Sequence, residues 1–475
     1  MPDGPAAASI ADSNAGGMSA IAALAGFTLR ARHVLPMTGD ATLGRDAGSR
    51  RGDQLENGWV RVERGRIVAV GGGPRGARDA ARAGGPVVDL GEAIILPGLV
   101  NAHTHLEFSA RESPLPAGGG LPDWIGRVVA LKRQAAAEGG AAGDAGAAAA
   151  APRAAAIARG LAECGRGGVT TVGEIATGLD GLVPMPAGGP RLRVFREALG
   201  LSLPAIAASS RGLARDLDRL AAAGLTTGIS PHAPYSVGRR LGRRLIDRAV
   251  AGRLPVAMHV AESREEQELL ATGRGRFRDL LESLGAWPEV GAELLPAAEW
   301  ISLLALPPRG VVVHGTFLPE DPAAFARLVR HRDRLAVAVC PRTTRALSGI
   351  LPPVRDFLDA GVRVAIGTDS RASNPDLDLL AECRTLVEAG LASPLESLVM
   401  ATRGGAFALG LERRVGRLAS GMAADIAVLA PAGVAADPFA AAVAASTRVI
   451  ATLRSGRLVA DGLAACRLAD GRSSR

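Results

Sequence analysis

Five of the seven histidines in this chain close runs of aliphatic residues: His103, His105, His232, His259 and His314. A single histidine after a strand is ordinarily a satisfied structural residue, but five at successive strand ends call for a shared task. His103 and His105 lie two residues apart in Pro97-Gly-Leu-Val-Asn-Ala-His-Thr-His, at the end of the apolar run Ile94–Val100. Side chains at i and i+2 of an extended chain point the same way, so both imidazoles can grip one cation. His259 ends Val256-Ala-Met-His with Glu262 three residues on, His314 ends Val311-Val-Val-His, and Asp369 ends Ile366-Gly-Thr-Asp. Three imidazoles and one carboxylate suit Zn²⁺ or Fe²⁺, with one coordination position left for water. Glu262 would hang close to whatever such a metal activates, where a carboxyl group can carry protons.

These residues need a frame that gathers strand ends. Aliphatic runs at Ile94–Asn101, Val169–Glu174, Leu192–Glu197, Thr226–Ser230, Val256–Val260, Val311–His314, Leu335–Cys340 and Val362–Thr368 read as strands. Helical patterns such as Arg240–Ala251, Glu265–Leu270 and Ala323–Val329 separate most of them. Eight strands alternating with helices predict an α/β fold, a closed (β/α)8 TIM barrel with its active site at the C-terminal strand ends. Both chain ends are β-rich instead: Phe27–Leu35, Trp59–Glu63, Ile67–Val70, Val87–Leu90 and Ile94–Leu96 on one side, Gly416–Leu429 and Thr447–Ala460 on the other. Hairpins are expected at Gly65 and at Ser455-Gly456. The expected organisation is a disordered Ala/Gly/Ser-rich stretch at 1–25, a small β-sandwich domain assembled from 26–96 and 406–468, and the barrel over 97–405. Residues 134–156 read as a flexible, low-complexity insertion running into a helix, without chemistry. Met18 is an alternative start.

Composition removes several function classes. No run of 18 apolar residues would span a membrane, and no basic start leads into a long apolar run, so the expected compartment is the cytoplasm. The net charge of +8 suggests nucleic acid, but Lys132 is the only lysine, the arginines are scattered in short groups, and aromatics are 3%. That is the mark of a coding bias, so no nucleic-acid partner is expected. Cys164, Cys340, Cys383 and Cys466 lie far apart and read as buried small hydrophobes. Gly71-Gly-Gly lacks the strand–turn–helix setting of a phosphate loop and reads as a turn. The His-x-Glu, Pro-Cys-x-x-Cys pattern, another way of holding a catalytic zinc, is absent.

Taken with their neighbours, the strand-end residues resemble the amidohydrolase superfamily, in particular its adenosine- and cytosine-deaminase-like branch with a single metal. The resemblance rests on Leu96-Pro-Gly-Leu-Val-Asn-Ala-His-Thr-His-Leu-Glu-Phe-Ser, Ser230-Pro-His-Ala-Pro-Tyr-Ser, His259-Val-Ala-Glu, His314-Gly-Thr and Gly367-Thr-Asp-Ser-Arg-Ala-Ser-Asn. The tail segments Ala401-Thr-Arg-Gly-Gly-Ala and Gly421-Met-Ala-Ala-Asp-Ile extend it, so it runs from about residue 27 to 460. His105-Leu-Glu-Phe-Ser with Asp123-Trp-Ile looks most like aminodeoxyfutalosine deaminases. One departure stands out. Many seventh strands of this branch read His-Cys-Pro-x-Ser-Asn, where this chain has Val339-Cys-Pro-Arg-Thr-Thr-Arg. Arg342 and Arg345 there are candidates for an anionic substrate group, with solvated loop charge as the plainer reading.

The resemblance implies His103, His105, His259 and Asp369 as ligands of one divalent ion, Zn²⁺ first and Fe²⁺ second. It implies Glu262 as the acid that protonates a ring nitrogen, His314 as the group orienting the attacking water, and Asp369 as the base that passes a proton to departing ammonia. His232 and Tyr235 would face a small heterocyclic substrate, with Trp124, Glu107 and Asn374 as further contacts. Plainer readings stand beside these: Glu107 as a helix cap, Trp124 as rim packing, and Ser370, Ser373 and Asn374 as caps of the next helix. Relatives with two metals bridge them by a lysine or a glutamate on a middle strand. Lys132 falls in a helical pattern after Trp124, which disfavours it as a bridge, and Glu174 is left as the one candidate. The implied function is release of ammonia from an adenine-like ring. Hydrolysis of a cyclic amide, guanidino carbon or chlorotriazine is the alternative, and an inactive scaffold is a remote one. A homodimer is left open.

Overall fold

The computed structural model of the chain describes residues 25–39, 54–83, 85–140, 145–183, 188–288, 293–433 and 436–461. Apart from Ala25, the stretch expected to be disordered lies outside these, as do Met18 and Cys466. Near its start the chain forms β1 (Gly26–Val34), β2 (Leu55–Glu63), β3 (Arg66–Gly71), β4 (Val87–Asp89) and β5 (Ile94–Pro97). Eight parallel strands follow: β6 (Leu99–Thr104), β7 (Val169–Ala176), β8 (Arg191–Ala198), β9 (Thr226–Pro231), β10 (Val256–Val260), β11 (Gly310–His314), β12 (Leu335–Val339) and β13 (Arg363–Ile366). Near its end come β14 (Ile426–Ala430), β15 (Arg448–Arg454) and β16 (Arg457–Asp461). Both ends join one sheet in the order β16-β15-β14-β5-β1-β2-β3, with β4 on β1. Its turns fall where expected. Arg64 and Gly65 (φ 47° and 76°), and Ser455 and Gly456 (φ 49° and 72°), are consecutive left-handed residues, as two-residue hairpin turns require.

The barrel sheet runs β6 through β13 in sequence order. It closes where Thr104 and Asp369 pair in parallel, and where the Thr368 and Asp369 amides both donate to the His103 carbonyl at 3.1 Å. A side chain at Gly367 would put its Cβ 2.8 Å from the His103 carbonyl, so β13 reaches β6 only through a glycine. Among the described residues no helix is long and apolar enough to cross a membrane.

The run Ile94–Asn101 is not one barrel strand. It breaks at Gly98, whose amide donates to the Asp425 carbonyl and whose Cβ would fall 2.2 Å from Thr170 Cγ2. Before Gly98 the chain pairs with β1 and β14; after it, with β7. The strand expected from Gly416 begins only at Ile426. The supposed insertion at 134–156 is largely helix, as the end of Gly120–Gly140 and the start of Ala145–Arg166, with 141–144 outside the described residues.

Alternation along the strands aims the site. Val100, Ala102, Phe195, Ala257, Val311, Val313, Ala336, Ala338 and Ala365 fill the barrel interior. The intervening Val256, Met258, Val260, Val312, Val337, Val364 and Ile366 pack in the larger core with the helices. Two residues beyond Ala257 is His259, two beyond Phe195 is Glu197, and four beyond Ala365 is Asp369, so a period of two carries them into the barrel mouth. β6 shifts register between Asn101 and Thr104, which redirects His103 and His105.

Candidate active site

Four imidazoles meet at the mouth. Ring centroids of His103 lie 5.0 Å from those of both His105 and His259, and the His259 ring stacks 5.5 Å from His314. The donor atoms of His103, His105 and His259 all lie within 4.8 Å of one another. Asp369 Oδ1 approaches His103 Nε2 at 3.5 Å and His105 Nε2 at 3.7 Å. The sharp turns that deliver these groups are strained. Ala261, His314 and Asp369 have φ of 54°, 64° and 54°, a region that non-glycine residues adopt at a cost of about 1–2 kcal/mol each.

Neighbours hold the geometry. His259 Nδ1 bonds the His232 carbonyl at 2.8 Å, which leaves Nε2 free for a ligand role. His232 Nδ1 meets Ser236 Oγ at 2.6 Å. Ser373 Oγ donates to Asp369 Oδ2. Glu266 accepts the Ala261 and Glu262 amides at 2.8 and 3.2 Å, fixing the turn that presents Glu262. Glu262 Oε1 lies 3.4 Å from His314 Nε2.

Burial decides the protonation states. It drives His103 down to about 3 and His232 to about 4, and it holds His105, His259 and His314 well below the usual histidine range, so all five are neutral near pH 7. Neutral imidazole is the form that binds metal. Burial, with the Asp369 and Glu266 carboxylates adding to it, pushes Glu262 well above the usual carboxylate range, so Glu262 holds a proton.

These residues fit a divalent metal on the evidence of the protein alone. Both ring nitrogens of His103 are fully buried and find no hydrogen-bond partner among the described residues. Two unmet buried polar atoms on one ring, beside two more imidazoles and a carboxylate, form a donor set that a cation completes. Glu174 is not among the clustered donor atoms, and its carboxylate accepts the Leu106 amide at 2.9 Å. Lys132 lies in the helix Gly120–Gly140, not at a strand end.

The adjoining cavity is lined by His105, Phe108, Trp124, Ile125, Val128, Lys132, Glu197, His232, Tyr235, His259, Glu262, His314, Asp369 and Ser370. Its volume of about 70 Å³ holds two or three waters, less than a nucleoside needs. A far larger cavity, about 920 Å³, sits among Arg332, Arg363, Arg403 and Glu412 and contains none of these groups. Of the five residues expected to face a substrate, Trp124, His232 and Tyr235 line this cavity, whereas Glu107 and Asn374 do not. Glu107 is held by Lys132 Nζ at 2.9 Å, Arg153 at 3.1 Å and Thr177 Oγ1 at 3.0 Å. Burial raises its carboxyl, but Lys132 and Arg153 outweigh that and keep it below the usual range. Asn374 is buried behind the Asp369 turn, donating to the Thr368 carbonyl and to Glu382. Nor do Ser370, Ser373 or Asn374 cap the next helix, because it starts later and is capped by Asp378. Arg342 is tied bidentately to Asp376 at 2.6 and 3.1 Å, away from the cavity. The Cys340 thiol is buried and pushed far up, as an inert core group.

Sequence reasoning missed Glu197, Lys132 and Glu266. Burial raises Glu197 to about 7, with Lys132 pulling it down. The signal for Glu197 was its place at the end of β8, in the same register as the other strand-end groups.

A parallel barrel with buried imidazoles and a carboxylate at its C-terminal mouth defines a class of metal-assisted hydrolases. The amidohydrolase family profile matches residues 94–459, and the chain belongs to that family, as a hydrolase acting on carbon–nitrogen bonds. It is 28% identical over 394 residues, 79% of this chain and 82% of the relative, to a 5-methylthioadenosine/S-adenosylhomocysteine deaminase of Moorella thermoacetica. It is 34% identical over 304 residues, 61% of this chain and 67% of the relative, to an aminodeoxyfutalosine deaminase of Deinococcus radiodurans. The fold is shared with the aminofutalosine deaminase of Helicobacter pylori, solved with methylthio-coformycin: TM-score 0.75 at 23% identity, over 91% of this chain and 100% of that one.

Proposed function

We propose that this protein deaminates an adenine-like nucleoside by hydrolysis, with aminodeoxyfutalosine and 5′-thio-substituted adenosines as the leading substrates. The observation that carries this reading is Glu262, buried beside the imidazole cluster with Oε1 3.4 Å from His314 Nε2, where burial raises its carboxyl well above the usual range. The names of the two relatives support the substrate class. His103, His105, His259 and Asp369 would hold one divalent ion, Zn²⁺ by its donor set and Fe²⁺ as the alternative. Such an ion, when bound, lowers the pKa of water from 15.7 to about 7.

The protein groups then divide the proton work. Glu262 gives its proton to the ring nitrogen beside the amino-bearing carbon, which makes that carbon electrophilic as water adds to it. His314 is neutral and orients the incoming water by a hydrogen bond. Asp369 accepts one proton of the added water and passes it to the amino group, which leaves as ammonia; the other water proton replaces the one that Glu262 gave to the ring nitrogen, so the ring carbonyl forms and the acid is restored. His232, fixed by Ser236, and Tyr235, stacked 4.0 Å from Phe277, shape the face against which the ring lies.

Ammonia release from adenosine, 5′-methylthioadenosine, S-adenosylhomocysteine and aminodeoxyfutalosine tests this directly. At least one should reach kcat/KM of about 10⁴ M⁻¹s⁻¹ or more. Metal-loaded protein that frees no ammonia from any of them overturns the reading.

A further inference from the structure

Three acceptor groups at the barrel mouth face one another with no hydrogen bond joining them. Glu197 near the end of β8, His232 just after β9 and His259 in β10 bring their donor atoms within 4.8 Å of one another. The tautomer of each ring follows from its neighbours. Ser236 Oγ donates to the Ala233 carbonyl at 3.2 Å, so His232 Nδ1 is the donor to Ser236 and its Nε2 carries the lone pair. His259 Nδ1 donates to the His232 carbonyl, which puts the lone pair on Nε2 there as well. Glu197 is 7% exposed, and its Oε1 finds no hydrogen-bond partner among the described residues.

Converging acceptors that do not bond one another are a donor set for a cation. His259 offers a single lone pair at Nε2, and the ion proposed at His103, His105, His259 and Asp369 takes it. Glu197 and His232 then remain, a carboxylate and an imidazole that suit Zn²⁺ with water completing its shell. Lys132 lines the same cavity, but Glu107 holds its ammonium at 2.9 Å and offsets its charge. We propose that Glu197 and His232 form a second, weaker Zn²⁺ site beside the first. Both residues line the cavity next to the imidazole cluster, so an ion there and the heterocycle compete for one face. Excess zinc is thereby an inhibitor that acts in place of the substrate. The proposal rests on the first ion's position and the heterocyclic substrate proposed above.

The test counts metal, so that it does not depend on turnover. The full chain is dialysed against buffers of graded free Zn²⁺, and bound zinc is measured by atomic emission. A second equivalent should enter at a free Zn²⁺ roughly 100-fold or more above the first, because fewer protein donors hold it and a like charge stands beside it. Glu197→Gln, nearly isosteric, and His232→Gln should keep the first equivalent. Each should move the second at least roughly 10-fold higher, since a direct ligand counts for no less than an outer partner. Where His232→Gln does not fold, Glu197→Gln decides. Purine riboside, which has no amino group to release, is then titrated calorimetrically. It should bind at least roughly 10-fold more weakly once the second equivalent is in place, as competition requires, and Glu197→Gln should erase that difference. A single equivalent at every free Zn²⁺, a second that neither variant disturbs, or riboside affinity indifferent to it overturns the proposal. Two equivalents with the expected variant pattern, in a protein that binds no riboside and frees no ammonia, uphold the second ion site and sink the deaminase reading instead.

Discussion

At the scale of single residues, the site depends on groups kept in the charge state opposite to their habit in water. The imidazoles stay neutral because burial disfavours their charge, and Glu262 stays protonated because burial and the nearby Asp369 disfavour its own. Removing only the proton-carrying ability of Glu262 should therefore leave the metal-holding set intact. Glu262→Gln should bind metal stoichiometrically yet lose about 10²–10⁴-fold in kcat, the usual share of general acid catalysis. Metal analysis paired with steady-state ammonia assays checks this, and full activity in the variant would remove Glu262 from the acid role. The histidines and Asp369 stood out in the sequence because each follows an aliphatic run, and Glu262 because it lies three residues beyond His259. Glu197 did not, since a glutamate after Arg196 reads as a surface pair until the inward register of Phe195 is known. Asn374 misled for the converse reason. It sits in a polar, Ser-rich stretch that reads as a rim, yet it is buried and bonded to Glu382.

At the scale of elements, the barrel seam and the site are the same piece of backbone. The amides of Thr368 and Asp369 bond the carbonyl of His103, and the His105 amide bonds the carbonyl of Asp369 at 3.1 Å. Strand closure thus sets the spacing between a ligand on β6 and a carboxylate after β13. Gly367→Ala places a methyl 2.8 Å from His103 Cβ and 3.0 Å from its amide nitrogen, and neither atom belongs to a flexible side chain that can swing away. The variant should lose about 1–3 kcal/mol of stability, the cost of overpacking, and its metal affinity should fall with it. Thermal melts with and without added metal measure both; a variant with unchanged metal affinity would show that the seam does not govern the site. Hydrophobic periodicity foretold seven of the eight barrel strands to within a few residues. It failed at Ile94–Asn101, because residues on both sides of Gly98 are equally apolar although they serve different sheets. The low-complexity stretch hid a helix for a related reason. Alanine-rich sequence has high helix propensity but no pattern of faces.

At the scale of the whole molecule, buried acids and buried imidazoles give stability opposite dependences on pH. A histidine whose folded value is depressed costs stability as pH falls below its unfolded value near 6.5. A carboxyl whose folded value is raised costs stability as pH rises, because the folded protein keeps a proton that the unfolded chain has released. Glu382 is a clean example, remote from the imidazoles and fully buried. It accepts the Arg342 amide at 2.8 Å and the Asn374 side chain, and burial raises it to about 7. Below pH 4.5 both states hold the proton and Glu382 is neutral in its effect. Between about 4.5 and 7 the folded state alone holds it, so stability falls with rising pH; above 7 the full penalty persists. A shift of this size corresponds to something on the order of 3 kcal/mol. Glu382→Gln cannot ionise, so its melting temperature relative to the unmodified protein should climb between pH 5 and pH 8. At pH 5 it should be equal or lower, since the amide donates where the carboxyl accepted. Parallel melting curves across that window would show that Glu382 is ionised in the folded protein throughout, with Arg342 compensating fully for its burial.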